Sequence, residues 1–111
     1  MVEIEAVLDE EGVLRACRAS GHALSGVAGA DIVCAAISVL LRTILNTLSN
    51  REGIKVRSGA PEKGKLWLEA DYEEAGKGFL YASGEFLING VASVAKEYPQ
   101  NCKLIIKNID S

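Results

Sequence analysis

Histidine is nearly missing from this chain of 111 residues: His22 is its only one. Three cysteines accompany it, an odd count with no C-x-x-C spacing. That poverty excludes a zinc ligand set and argues against a disulfide framework, so a reducing cytoplasmic setting is expected. Positive charge is not in excess either. The net charge is −3, with 12 Lys and Arg against 15 Asp and Glu. A direct nucleic-acid partner is therefore not expected, since such a site needs a basic footprint. No long apolar run is present. The stretch from Ile32 to Leu41 is interrupted by Cys34 and Ser38 and followed by Arg42, too short to span a bilayer. The opening Met1-Val2-Glu3-Ile4-Glu5 lacks the basic start and cleavage region of a signal peptide. No Gly-Lys-Ser/Thr follows the glycine-bearing loop, which rules out a Walker-type phosphate cradle. No cofactor and no metal are implied.

What is there reads as one domain over residues 1–111, with 49% hydrophobic residues and enough chain to build its own core. Val2, Ile4, Ala6 and Leu8 alternate with Glu3, Glu5 and Val7, the pattern of a half-buried strand. Asp9-Glu10-Glu11-Gly12 is turn chemistry, and Val13 to Ala19 reads as the returning strand, with Arg15 and Cys17 on one face and Leu14 and Ala16 on the other. Ile32 to about Ser49 has helical spacing and is apolar nearly all round, which predicts a mostly buried helix ended by Asn50 and Gly53. Strands are predicted at Ile54–Arg57 and Lys65–Tyr72, the latter with Leu66, Leu68, Ala70 and Tyr72 on one face. A second helix follows over Glu74–Glu97, its stripe formed by Leu80, Gly84, Leu87, Val91, Ala95 and Tyr98. Gly84 and Gly90 lower its propensity by roughly 1 kcal/mol each, and close packing on a neighbour is the expected return. Pro99 stops it, and Lys103–Ile109 closes the order β-β-α-β-β-α-β. The simplest way to bury these stripes is an α+β two-layer sandwich, one mixed sheet with both helices on one face. Strand order is not legible.

Two short stretches carry the chemistry, Ser20-Gly21-His22-Ala23 and Asp31-Ile32-Val33-Cys34-Ala35-Ala36-Ile37-Ser38. Asp31 is a natural N-cap, which places Cys34 in the first turn of the first helix. Free amides and the helix dipole favour an anion there, and a thiolate is one. An imidazole in reach could hold that thiolate and later protonate a leaving amine. The amides near Cys34 and Ala35 could stabilise an oxyanion. Ala35 and Ala36 would let a substrate backbone approach. Ser38, one turn beyond Cys34, could bond the sulfur or orient His22, as could Asp31. Against this, a cysteine on an apolar helix is commonly a small buried hydrophobe, and a helical serine commonly bonds the carbonyl one turn earlier. Cys17 and Cys102 read as structural.

The two stretches and the glycine-bearing loop between them resemble the ribosomal-processing cysteine protease family, Prp. The likeness extends to the N-terminal hairpin, Gly53-Ile54-Lys55-Val56 and Glu97-Tyr98-Pro99. It implies a small cytoplasmic endopeptidase, commonly homodimeric, that removes a short N-terminal extension from the twenty-seventh protein of the large ribosomal subunit. The ribosomal protein's N-terminal peptide would be its substrate. By motif position the resemblance assigns Cys34 as nucleophile and His22 as base, and Ser38 matches a motif serine near the site; Asp31 and Gly21 are further candidate supporting residues. Residues Ala23, Leu24, Ser25, Gly26, Val27, Ala28, Gly29 and Ala30 correspond to a mobile segment over the substrate cleft. Two other readings stay open at this point: a non-catalytic ribosome-associated binding module, which would tolerate loss of Cys34, and a thiol redox sensor, with Cys17 or Cys102 as resolving partner.

Overall fold

The computed structural model describes residues 1–21, 30–62 and 64–109. Its elements run β1 (Val2–Leu8), β2 (Leu14–Ser20), α1 (Ala30–Leu48), β3 (Ile54–Gly59), β4 (Lys65–Tyr72), α2 (Glu74–Glu97) and β5 (Cys102–Asn108). The order and the α+β class are those expected from sequence. Five strands form one sheet in the order β3-β4-β2-β1-β5. Only the β1–β5 pair is parallel, Ile4 lying opposite Leu104; the other pairs are antiparallel. Alternation on β1 does what its pattern demands. Val2, Ile4 and Ala6 are buried and join Leu68, Ala70, Cys102 and residues of both helices in one core cluster. Both helices thus cover the same sheet face, and Leu66 and Tyr72 pack against the edge of that core.

The faces of β2 depart from the simple alternation. Cys17 is buried in the core, and so is Leu14. The pairing with β1 shifts register between Val7 and Leu8, so that Val7 faces Ala16 while Leu8 faces Leu14. Arg15 is thereby left without a partner on β1, as in a β-bulge. The extra residue turns Leu14 inward with Cys17, and Arg15 instead bonds the Ala70 carbonyl at 3.0 Å and Asp71 at 2.8 Å. Period-two reasoning fails at this point because a bulge adds one residue to the count.

Helix α1 buries Val33, Ile37, Leu41, Ile44 and Leu48, successive residues of one stripe. It is not buried all round: Ile32 is 57% and Val39 62% exposed. Asn50 adopts φ 61° just past its end, the left-handed turn that closes many helices. In α2 the glycines provide close contact. A Cβ on Gly84 would stand 2.8 Å from Leu14 of β2, and one on Gly90 would stand 2.9 Å from Leu40 of α1. Among the described residues no helix is long and apolar enough to cross a membrane.

Candidate active site

One end of the molecule opens into a cleft of about 730 Å³. Three pieces of chain line it. The start of β1 and the end of β2 supply Val2, Ala19, Ser20 and Gly21; α1 supplies Cys34, Ile37, Ser38 and Arg42; the segment from Ala60 into β4 supplies Glu62, Gly64, Lys65 and Leu66. On α1, Cys34, Ser38 and Arg42 recur every four residues, which stacks them on one helix face.

Cys34 is half-buried and reduced, while Cys17 and Cys102 are buried. Burial pushes the Cys17 thiol up to about 12, Arg18 only partly opposing it, and burial raises the Cys102 thiol as well. The expectation that these two are structural therefore holds, and the cleft contains one thiol among its described residues. Ser38 is equally informative. Elsewhere Thr47 donates to the Thr43 carbonyl, Ser49 to Leu45 and Ser93 to Asn89, each one turn back. No such bond ties Ser38 among the described residues, and Ser38 lines the cleft.

Gly21 fixes the rim. Its φ is +125°, and a Cβ there would overlap the Met1 carbonyl oxygen. Its amide donates to the Gly64 carbonyl at 3.1 Å. Only glycine fits a position that combines positive φ with backbone contact. The chain leaving β2 is thus pinned between β1 and β4 one residue before His22. His22 itself lies outside the described residues, as do residues 23–29 of the expected substrate loop and the side chains of Ala30 and Asp31.

Two expectations change. The helix begins at Ala30, so Ala30 belongs to α1 rather than to the loop, and Asp31 stands inside the helix rather than at its cap. The amides of Cys34 and Ala35 then point at the carbonyls of Ala30 and Asp31, four residues back, and are taken up by the helical ladder. They are not the oxyanion donors. The amides with no partner inside this helix belong to its opening turn, at Ala30, Asp31 and Ile32. A helical side chain tilts toward the N-terminus and covers the turn before its own Cα, so the Cys34 thiol still lies over that end of the dipole. Arg42, Glu62 and Lys65 are cleft residues the sequence reading did not single out. The spacing from Cys34 and Ser38 pointed to Arg42; nothing local pointed to the other two. No cluster of three or more metal-binding side chains occurs among the described residues.

Comparison with known proteins decides what this cleft belongs to. The family model for cysteine protease Prp matches residues 1–103. The chain belongs to that family. Members of the Prp family are cysteine proteases, so the chain is an enzyme of that class. No curated protein matches it by sequence. Among solved structures it is similar to SMU.848 from Streptococcus mutans, with a TM-score of 0.79 and 24% identity over 98% of this chain and 96% of that one. It is also similar to the essential ribosomal processing protease Prp of S. aureus in complex with a substrate peptide, with a TM-score of 0.81 and 19% identity over 96% and 100% of the two chains. The same S. aureus protease in complex with a covalently linked product peptide matches with a TM-score of 0.79 and 20% identity, again over 96% and 100%. At these identities the structural likeness establishes the fold.

Proposed function

We propose that this Prp-family protease is an endopeptidase that removes a short N-terminal extension from a large-subunit ribosomal protein, with Cys34 as nucleophile and His22 as base. The observation that carries the reading is the half-buried Cys34 in a cleft it shares with Ser38 and Gly21. His22 follows Gly21 directly in the sequence, and Gly21 lines that cleft. The S. aureus ribosomal processing protease, similar in fold, has been captured with a substrate peptide and with a covalently linked product peptide.

The chemistry follows from those groups. The Cys34 sulfur, its proton held by His22, attacks the scissile carbonyl carbon. The carbonyl π electrons move to oxygen, and the first-turn amides of α1 stand ready for that charge. Collapse of the tetrahedral species breaks the C–N bond, the amine leaves with the His22 proton, and a thioester remains on Cys34. Water then loses a proton to His22 and attacks the thioester carbon, releasing the carboxylate product and the thiol. Ser38 can orient the imidazole or donate to the sulfur. A reducing cytoplasm suits an enzyme that depends on a free thiol. As a homodimer it would bury the exposed Val39 and Phe86 of its helical layer, and sedimentation giving only monomer at micromolar concentration would exclude that arrangement.

The test is cleavage of a peptide carrying the ribosomal N-terminal extension by wild type, Cys34→Ser and His22→Ala. Product from wild type alone is the expected result. Turnover undiminished in either variant overturns the assignment, and capture of the peptide without cleavage by wild type favours a binding module.

A further inference from the structure

We infer that Arg42 is a specificity-determining residue that recognises an acidic side chain in the substrate, three or four residues from the scissile bond. The inference rests on the protease reading above and adds to it the charge of the peptide. Arg42 lies two turns along α1 from Cys34, on the same face as Cys34 and Ser38, and all three line the cleft. A helix rises about 1.5 Å per residue, which puts Arg42 about 12 Å from Cys34 along the axis. An extended peptide advances about 3.3 Å per residue, so the same span takes three or four residues of substrate.

The other charges in the cleft are already matched. Lys65 Nζ lies 3.3 Å from Glu62 Oε1, and the two cancel. Arg42 forms no ion pair among the described residues, although eight such pairs occur among them outside the cleft. The described lining therefore carries one unmatched positive charge, two turns along the same helix from the thiol. A carboxylate delivered there gains a charge-assisted, bidentate partner, while a lysine meets repulsion.

The experiment places Glu, Gln or Lys singly at each position from two to five residues on either side of the scissile bond, and reads kcat/KM at low and high salt. Wild type is expected to prefer Glu to Lys by about five-fold at one position, the scale of an exposed ion pair, with the preference shrinking in high salt. In Arg42→Glu the order is expected to reverse, Lys over Glu, at that same position, and Arg42→Lys should keep the original order. Reversal is an outcome that a merely structural role for Arg42 does not produce. Cleavage by wild type with no Glu preference at any position overturns the Arg42 assignment and leaves the protease reading standing. Absence of cleavage of every peptide overturns both.

Discussion

The two ends of the sheet treat their polar groups in opposite ways. At the end away from the cleft the chain spends them on itself. Asp9, whose side chain is 12% exposed, accepts from the amides of Glu11 and Val13 and from the Tyr72 hydroxyl. Arg15 bridges to Asp71, which also holds Arg57, and Lys77 pairs with Glu11. Turn, strand and helix are tied there, and the Tyr72 hydroxyl is pushed up to about 12 by its bond to Asp9. At the cleft end, Ser38 has no carbonyl and Arg42 no carboxylate among the described residues. The first end ties turn, strand and helix together, and the cleft end carries a single described ion pair, Lys65 with Glu62.

Substitutions at the two ends should therefore separate activity from stability. The largest effect is expected for Cys34→Ser: a loss of peptide cleavage of at least about a thousand-fold, as when a nucleophile is removed, with urea unfolding little changed. Next comes Gly21→Ala, which meets both positive φ and the Met1 carbonyl. Strained backbone of this kind costs about 1–3 kcal/mol, and misplacing the segment that leads to His22 should lower kcat/KM by roughly a hundred-fold. Asp9→Ala should do the reverse, lowering stability by about 2 kcal/mol through unpaired amides and a lost hydroxyl partner while leaving cleavage intact. An equal loss of both properties in Asp9→Ala would break the division between the ends.

Acid should act on the same end, with a smaller effect. Burial works to raise the Asp9 carboxyl, but bonds from Tyr72, Val13 and Glu11 and the charge of Arg15 bring it below its ordinary value of 3.8. Asp71 is likewise lowered, chiefly by its bonds to Arg57 and Arg15. A carboxyl lowered on folding adds stability that is present above its unfolded value and lost as pH falls through its folded one. Unfolding followed from pH 6 to pH 2 should thus show stability falling below about pH 4, and falling less in Asp9→Ala. An identical acid limb in both proteins would show that Asp9 is not part of it.

Much of this division was legible in the residues. Strand alternation on β1, the Leu66-Leu68-Ala70-Tyr72 face and the close-packing glycines of α2 stand where local pattern placed them, because each reflects burial against one neighbour. The His22 and Cys34 stretches marked the family. What local pattern did not give arises from pairing. Strand order and the bulge at Arg15 depend on partners distant in sequence. The helix start at Ala30 lies ahead of the residue whose side chain looked like the cap. Glu62 and Lys65 reach the cleft only because β4 pairs with β2, Lys65 opposite Ser20.

The proposed mechanism assigns the chemistry to the one thiol of three that lines the cleft. The most direct measurement is mass spectrometry of the protein quenched in acid during turnover of the extension peptide, with the modified cysteine mapped by fragmentation. One acyl group per chain is expected, on Cys34, and none in Cys34→Ser. An acyl group on Cys17 or Cys102, or turnover that continues without Cys34, would contradict that mechanism.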